Sequence, residues 1–474
     1  MLKGLEISEI KYSYVRKNGE VFRFDSNYFL KKFIDDESLI RTGRYSTIKE
    51  IGAGLKSFGA YSLNNDVHYL ESGVPFIRGV NMKKGRISFN DMIFIDETAN
   101  SLLWKSEVKP EMVLLSMSGT IGDVAIASKK WKYPINSNQD IAKIETLGKI
   151  NPYFLYAFLA SKFGQNYLIR EARGSVQQHV FLSQMEQFEI PLFNEKFVQS
   201  IQSTIEKSDE FQYLAEDLYK NAETILLETI GLKDFEPSTD GVNVKSFKES
   251  FLTSGRLDAE YYQKKYEDIE SKILGYKNGA DILKNQIEYI STGEYTSSYE
   301  SIGLESVPYI RNNNMKKGHI ELDDEYYVNP NNFKTKANIG EILTSRVGTI
   351  GLFGVIKAGQ ENCVYSDNIL CFKLKGNYIP EVYAMLFSTE LYKLLLEKLA
   401  GGSVQPLITQ TSIKGLPIPN VEYSIQLKVA DLINESFRLK KQSEQLLETA
   451  KRAVEIAIEQ DEDAAMRYIE EQSN

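Results

Sequence analysis

The chain has 474 residues, 42% of them hydrophobic and 26% charged, with a formal net charge of -9. This composition is typical of globular proteins, and the length predicts two to four domains. No apolar run reaches the roughly 18 residues of a membrane-spanning helix, and frequent charges near the start exclude the apolar core of a signal peptide. Two cysteines and three scattered histidines exclude a disulfide framework and a histidine-based metal site. We therefore expect a reduced, cytoplasmic, metal-free protein.

The negative charge is unevenly distributed. Residues 1–193 carry a net charge of +4 and residues 236–419 carry -3, whereas the short segments 194–235 and 420–474 carry -5 each. The overall acidity therefore does not exclude nucleic acid, because local basic patches decide such contacts.

Four motifs occur twice along the chain, in the same order. They are RFDSNYFLKKF (23–33) and RLDAEYYQKKY (256–266), VPFIRGVNMKKG (74–85) and VPYIRNNNMKKG (307–318), SGTIGDVAIA (118–127) and VGTIGLFGVI (347–356), and GSVQ at 174–177 and 402–405. The offset between copies stays between 228 and 233 residues. The chain is therefore a pseudo-two-fold internal repeat.

Each repeat begins with about 190 residues of short apolar runs broken by Gly, Pro, Asn and Asp, a pattern typical of strands and turns. A helical stretch follows at 151–172 and again at 378–400, each with a proline near its start, where helices tolerate it. The sequence thus predicts two similar α+β domains.

Each repeat ends in a long helix with apolar residues at alternating three- and four-residue spacing. This spacing predicts a long antiparallel two-helix coiled coil between the two domains, in which Ser208 and Ser436 hold equivalent positions and help to fix the register. The alternative is that each helix packs on its own domain. The seam is predicted to contain Ile201, Ser208, Phe211, Leu218, Ile225, Val429, Leu432, Ser436, Leu439 and Leu446. The predicted segments are domain 1 (1–193), a central spacer helix (194–235), domain 2 (236–419) and a C-terminal spacer helix (420–474).

The repeated basic motif supplies candidate contacts to DNA. Clustered Lys and Arg are typical phosphate contacts, and the asparagines beside them are predicted either to read base edges or to cap a turn. The alternative is a solvated strand end with a Lys-Lys-Gly turn. The candidates are Arg78, Asn81, Lys83, Lys84, Arg86, Arg311, Asn314, Lys316 and Lys317. Because residues 34–73 and 267–306 share little, we expect two different half-sites in an asymmetric target.

The two glycine-containing motifs give further candidates. Thr120 and Thr349, within the GTIG sequences, either approach a phosphate or belong to a tight strand connection. Each GSVQ sequence follows the predicted end of a helix, and its exposed polar side chains either contact a partner or bond to neighbouring backbone. These partner-binding or interdomain candidates are Ser175, Gln177, Ser403 and Gln405.

No catalytic motif is complete. NPYF at 151–154 resembles the N-P-P-Y/F motif of amino-methyltransferases, but the second proline and a glycine-rich cofactor loop are missing. The sequence has no G-x-x-x-x-G-K-[ST] phosphate loop and no indicated Ser/His/Asp or Cys/His set. We therefore predict a non-catalytic chain.

The ordered, duplicated motifs resemble the specificity (S) subunit of Type I restriction–modification enzymes. The resemblance implies two target-recognition domains separated by paired helices, and binding to bipartite double-stranded DNA. It further implies two methyltransferase (M) subunits and restriction (R) subunits as partners, which use S-adenosylmethionine and ATP, whereas this chain needs no cofactor. The helix starts PLFNEKF and PIPNVEYSIQ depart from the P-P-L-x-E-Q pattern common in that family.

Two other functions fit the same residues. The chain could be the separated recognition half of a fused restriction–methyltransferase, which a catalytic neighbour on one polypeptide would indicate. It could also be a coiled-coil scaffold without a DNA role, which predicts no salt-sensitive DNA binding.

Overall fold

The structure is a computed structural model that describes residues 9–17, 23, 25–57, 67–90, 92–119, 121–174, 178–322, 326–401 and 406–473. The chain divides into two compact units. Unit 1 comprises Met1–Tyr213 and Lys440–Asn474, and unit 2 comprises Leu214–Leu439. Both units combine helices with strands.

The described residues of unit 1 form four small sheets. Its strands are β1 (Tyr45–Thr47), β2 (Gly54–Lys56), β3 (Val74–Ile77), β4 (Met82–Lys83), β5 (Arg86–Ile87), β6 (Ile93–Ile95), β7 (Val113–Ser116), β8 (Val124–Ile126), β9 (Asn136–Ser137), β10 (Ile141–Glu145) and β11 (Glu189–Pro191). The strand orders are β2-β10-β7-β8, β6-β3-β9, β4-β5 and β1-β11. All pairs are antiparallel except β3 with β9.

Unit 2 has the same set of sheets. Its strands are β12 (Ala280–Ile282), β13 (Ile287–Thr292), β14 (Val307–Ile310), β15 (Met315–Lys316), β16 (His319–Ile320), β17 (Tyr327–Val328), β18 (Ile342–Ser345), β19 (Phe353–Val355), β20 (Val364–Tyr365), β21 (Ile369–Leu374) and β22 (Pro417–Pro419). The orders β13-β21-β18-β19, β17-β14-β20, β15-β16 and β12-β22 repeat those of unit 1 strand for strand.

The helices follow the same duplication. Unit 1 has α1 (Tyr12–Lys17), α2 (Lys31–Ile40), α3 (Ile48–Ile51), α4 (Glu97–Leu102), α5 (Pro152–Ala160), α6 (Lys162–Glu171), α7 (Leu182–Met185) and α15 (Glu462–Ser473). Residues of α8 (Glu195–Thr229) and α14 (Tyr423–Glu459) belong to both units. Unit 2 also has α9 (Phe251–Ser254), α10 (Lys264–Leu274), α11 (Pro380–Phe387), α12 (Glu390–Leu399) and α13 (Gln410–Lys414).

The helical stretch predicted at 151–172 is two helices, α5 and α6. Pro152 lies in the first turn of α5, and the Asn151 side chain accepts from the amides of Tyr153 and Phe154 at 3.0 and 3.2 Å. Ser161 has extended backbone angles and caps α6, so it ends one helix and begins the next. The stretch predicted at 378–400 divides in the same way into α11 and α12, because Thr389 is also extended.

The central sheet of unit 1 is covered on both faces. All four residues of β7 are buried, and they alternate between two cores as a strand requires. Val113 and Leu115 belong to the core around α5, whereas Leu114 belongs to a core that includes Ile77 and Met82. The ends of these strands, and the loops that follow them, are therefore held in place by a sheet that is packed on both faces.

Within unit 1, residues 194–208 and 443–462, which include the start of α8 and the end of α14, run antiparallel. The Asn194 backbone amide donates to Glu462 at 2.7 Å, whereas the Ser208 hydroxyl donates to the Ser443 carbonyl at 2.6 Å. The Ser443 hydroxyl donates in return to the Ser208 carbonyl at 2.7 Å. These reciprocal bonds satisfy two polar side chains that are fully buried, which apolar packing alone would not do.

The predicted seam residues are buried to different extents. Ile201, Ser208, Val429, Ser436, Leu439 and Leu446 are buried, and Phe211, Leu218, Ile225 and Leu432 are half-buried. In unit 2, the Ser436 hydroxyl donates to the Ala215 carbonyl at 2.7 Å. The small side chains at these positions allow close approach of the two backbones.

Candidate functional site

The repeated motifs at 74–85 and 118–127 lie close together in unit 1, where β3 and β7 end, and the segment that follows α6 joins them. The Val180 amide donates to the Met117 carbonyl at 3.0 Å, and Met117 in turn donates to the Asp140 carbonyl at 2.8 Å. The Asn138 amide donates to the Ile77 carbonyl at 2.9 Å, which joins a third segment. We call residues 78–81, 117–119, 121–122, 138–140, 173–174 and 178–180 loop cluster 1; Thr120, Ser175 and Gln177 lie outside the described residues.

Unit 2 assembles the equivalent segments in the same way. The Ile408 amide donates to the Arg346 carbonyl at 2.8 Å, and the Arg346 amide donates to the Asn368 carbonyl at 2.9 Å. The Asn312 side chain donates to the Val347 carbonyl at 2.9 Å. We call residues 311–314, 346–351, 366–368, 401 and 406–408 loop cluster 2. Thr349 is exposed on it, whereas Ser403 and Gln405 lie outside the described residues.

Asn81 and Asn314 cap the turns that lead into these clusters. The Asn81 side chain accepts from the Arg78 amide at 3.0 Å, and the Asn314 side chain accepts from the Arg311 amide at 2.8 Å. Both asparagines are at most 3% exposed. Their side chains therefore serve the turn, which was one of the two interpretations of the sequence, and a base contact by either stays a prediction.

Arginines lie around both loop clusters. Arg78 and Arg311 are half-buried and occupy equivalent turns. The Arg311 guanidinium lies over the Tyr326 ring, 3.2 Å from its centroid. Arg173 in cluster 1 and Arg346 in cluster 2 were not predicted as site residues. Their two positions in the repeat are occupied by other residue types in the opposite unit, so the sequence repeat gave no signal for them.

The basic residues after these turns lie on short hairpins that approach the long helices. The Arg86 guanidinium donates to Asp209 at 2.9 Å and to the Ser443 hydroxyl at 2.6 Å, and also contacts Ser208. In unit 2, the Lys317 ammonium donates to Glu223 at 2.8 Å. These two side chains have partners within their own units, and their contact with DNA stays a prediction.

Lys83 and Lys84 are exposed, and Lys316 lies 3.9 Å from Glu321. The glycine that ends each Lys-Lys-Gly turn faces a tyrosine. The Tyr156 hydroxyl donates to the Gly85 carbonyl at 3.1 Å, and a Cβ on Gly85 would collide with that hydroxyl. The tip of each hairpin thus packs closely against a tyrosine, which explains why glycine is required there.

The RFDSNYF and RLDAEYY motifs fix the helices that precede the GSVQ loops. The Tyr28 ring lies between two guanidinium groups, with Arg23 at 4.4 Å and Arg170 at 4.2 Å from its centroid. Arg170, only 5% exposed, also donates to Glu37 at 3.0 Å. Burial raises the pKa of the Tyr28 hydroxyl, so the ring remains neutral between its two cations.

Unit 2 repeats this arrangement with a different cation. Lys398 replaces Arg170; its ammonium lies 4.9 Å from the Tyr261 centroid and donates to Glu270 at 2.8 Å. Arg256 lies 4.5 Å from the same centroid. The repeated motif is therefore a structural anchor for α6 and α12, whose ends lead into the loop clusters.

The described residues hold no group of three or more His, Cys, Asp or Glu side chains that could bind a metal ion. Cys363 and Cys371 are both buried, and burial raises the pKa of the Cys363 thiol to about 11. A thiol in that state is a poor nucleophile at neutral pH. No described helix combines the length and the apolar character that crossing a membrane requires.

Solved structures of similar proteins include the Type-I restriction-modification S subunit from M. genitalium, with 13% identity, 90% of this chain and 95% of that chain covered, and a TM-score of 0.39. The HsdS subunit from Thermoanaerobacter tengcongensis has 14% identity, coverage of 86% and 96%, and a TM-score of 0.28. A structure from work on complex assembly and conformational transition of the type I R-M system has 14% identity, coverage of 86% and 97%, and the same TM-score. At such TM-scores these likenesses carry no conclusion about this chain.

Comparison with curated proteins finds no match. A family model does match: it is described as the Type I restriction modification DNA specificity domain and covers residues 14–223. The matched range contains loop cluster 1 and most of α8. Residues 14–223 are therefore similar to the Type I restriction modification DNA specificity domain.

Proposed function

We propose that this chain is the non-catalytic DNA-recognition subunit of a Type I restriction–modification complex. It reads an asymmetric bipartite target and docks methyltransferase (M) and restriction (R) subunits. The observation that carries the proposal is that two repeated motifs come together in each loop cluster, those at 74–85 and 118–127 in unit 1 and those at 307–318 and 347–356 in unit 2. Motifs far apart in sequence, and repeated at one offset, come together at a loop surface on a rigid sheet, where binding residues are commonly found.

The chemistry of the loop clusters suits a nucleic acid. Arg78 and Arg173 in cluster 1, and Arg311 and Arg346 in cluster 2, offer planar guanidinium groups that bind phosphates or base edges in two-pronged contacts. Gly119 and Gly348 have positive φ angles of 75° and 80°, and glycine without a side chain lets the backbone approach a ligand closely. Because the two clusters differ in residues, the two half-sites of the target differ in sequence.

The long helices supply the remaining part of the proposal. Ile201, Ser208, Ala215 and Ala222 are buried at seven-residue intervals in α8, which is the period of a coiled coil. We infer an antiparallel two-helix coiled coil between two target-recognition domains, at 1–193 and 236–419. Its acidic outer face docks M and R subunits, which use S-adenosylmethionine and ATP. The chain itself positions those partners on the DNA and breaks no bond.

A selection experiment tests this function. The chain is purified from the cells that naturally produce it, together with any attached partner subunits. The sample is incubated with a pool of random-sequence duplexes, and the bound DNA is sequenced. The expected result is enrichment of one split motif with two unlike halves, and affinity that falls steeply as salt rises. Binding without sequence preference, or no salt-sensitive binding, would favour a scaffold and contradict the proposal.

Co-purification addresses the other alternative. A recognition half separated from a fused restriction–methyltransferase would associate with one catalytic polypeptide, whereas an S subunit associates with separate M and R chains. Mass spectrometry of the purified complex distinguishes the two, because it counts the catalytic polypeptides and their copies.

A further inference from the structure

Three polar side-chain atoms in unit 2, on residues that the Asn312–Val347 hydrogen bond brings close together, are buried without a hydrogen-bond partner among the described residues. They are the Asn312 side-chain oxygen, the Ser345 hydroxyl and the Arg346 Nε. Ser345 is only 1% exposed, so water does not replace the missing partner freely. Buried polar atoms of this kind are uncommon in proteins, and such a group calls for an explanation, which a ligand provides.

The same positions of unit 1 are not built this way. The motif offsets match Asn312 with Gly79, Ser345 with Ser116 and Arg346 with Met117. The Ser116 hydroxyl donates to the Ser118 carbonyl at 3.1 Å. Two of the three polar groups are therefore replaced, and the third has an internal partner. This set is found in unit 2 and not at the matching positions of unit 1, where loop cluster 1 instead buries side-chain atoms of Asn138 and Arg173 without a described hydrogen-bond partner.

Arg311 stands next to this set and is held in one orientation. Its guanidinium stacks on Tyr326, at 3.2 Å from the ring centroid, and Tyr326 packs edge-on against Tyr299 with centroids 4.8 Å apart. Arg346 is positioned by a different segment, because its Nη1 donates to the Asp367 carbonyl at 3.3 Å. In unit 2, the Tyr309 amide donates to the Tyr326 carbonyl. The matching pair in unit 1 is Phe76 with Ile93, and Ile93 has no aromatic ring for Arg78.

A fixed guanidinium is suited to reading a base. Arginine binds the O6 and N7 atoms of guanine in the major groove with two parallel hydrogen bonds, and asparagine binds the N6 and N7 atoms of adenine similarly. A phosphate contact can use the same planar fork, but it carries no sequence information, so the DNA motif selected by variants distinguishes the two roles. The stacked ring lowers the entropy that Arg311 would lose on binding, so the fork is preorganised.

We propose that Arg311, Asn312 and Arg346 are the base-reading residues of unit 2, and that its half-site contains at least one G·C pair read by an arginine of this set. This inference rests on the proposed function, because it assumes that loop cluster 2 faces DNA. It goes further by assigning the readout to three residues and by predicting the kind of base pair that they recognise.

The test compares three single variants with the wild type by the same random-duplex selection, using the complex as it purifies. Asn312→Gly and Arg346→Met introduce the residues found at the matching positions of unit 1. Arg311→Lys keeps the charge but removes the planar fork. Lys334→Met is the matched control, because it removes an exposed charge of unit 2 outside loop cluster 2. Thermal melting of each variant checks that it is folded.

The expected result is loss of preference at one or two adjacent positions in one half of the motif, by about 5- to 150-fold per lost base contact. The other half and the Lys334→Met motif stay unchanged. An unchanged motif with weaker binding to every sequence would identify phosphate contacts and overturn the inference; an unchanged motif with unchanged binding would overturn it as well. If Arg346→Met fails to fold, Arg346→Lys replaces it and is judged by the same outcomes.

The proposed function and the assignment of Arg311, Asn312 and Arg346 fail separately in this experiment. A wild-type complex that enriches no sequence contradicts the proposed function and, with it, this inference. A wild-type complex that enriches a split motif, together with variants that enrich the identical motif, leaves the function intact and overturns only the assignment of these three residues.

Discussion

Lys143 gives the sharpest prediction about stability, because it is a lysine buried in the central sheet of unit 1. It lies on β10 and is 0% exposed, and its ammonium has one described hydrogen bond, a donation to the Ser137 hydroxyl at 2.9 Å. Burial lowers its pKa from 10.5 to about 7. The matching position in unit 2 is the buried Cys371, so the fold does not require a cation there.

The sign of the pH effect follows from proton binding. Above pH 10.5 the side chain is neutral in both states and carries no penalty. Between pH 10.5 and 7 the unfolded chain holds a proton that the folded chain excludes. The free energy of unfolding therefore falls by about 1.4 kcal/mol for each unit by which the pH decreases. Over that window of roughly 3.5 units the loss amounts to about 5 kcal/mol, and below pH 7 it stays constant.

Lys143→Met should therefore stabilise unit 1 at pH 7, by as much as ~4 kcal/mol after the loss of the Ser137 hydrogen bond, and should have little effect near pH 10. The only two tryptophans of the chain, Trp104 and Trp131, both belong to unit 1. Urea unfolding followed by tryptophan fluorescence at several pH values therefore reports on that unit. A variant that is less stable than the wild type, by the same amount at every pH, would refute this reasoning.

Three further predictions concern the hairpins. Arg86→Met removes charged hydrogen bonds to α8 and α14 and should destabilise unit 1 by about 2–4 kcal/mol in the same fluorescence assay; a loss below ~0.5 kcal/mol would show that the contact with the helices is incidental. Gly85→Ala should cost more than Gly119→Ala in thermal melting, because both have positive φ but only Gly85 faces a side chain within 4 Å; equal losses would contradict the close packing against Tyr156. Lys83→Glu with Lys316→Glu should weaken DNA binding across all sequences and flatten its salt dependence, whereas an altered motif would assign these lysines to base reading instead.

Much of the local structure could be predicted from sequence because its causes are local. Short apolar runs broken by turn residues indicated strands, and the three- and four-residue spacing indicated the long helices. The division of 151–172 was missed, because the apolar pattern continues across Ser161 and only the capping geometry reveals the break. Repetition was the strongest signal, since it marked every motif that the loop clusters bring together.

The roles of individual side chains were harder to predict because they depend on distant partners. Arg86 has the positive charge that is typical of a phosphate contact, yet its partners lie more than 100 residues away in the sequence, on two helices. Arg170 and Glu37 pair across a separation that no periodicity reveals. Arg346 escaped notice because its repeat partner, Met117, has no charge. The residues that we propose to read bases differ between the repeats, whereas the comparison of the repeats favoured residues that agree.

Exchange of one recognition segment tests the central claim most directly. Residues 1–193 are replaced by the corresponding segment of a related chain with a different target, and the DNA motif of the purified complex is determined by random-duplex selection. The account predicts that one half of the motif changes while the other half keeps its wild-type sequence. A change in both halves, or in neither, would contradict the view that the two units read separate halves of one target.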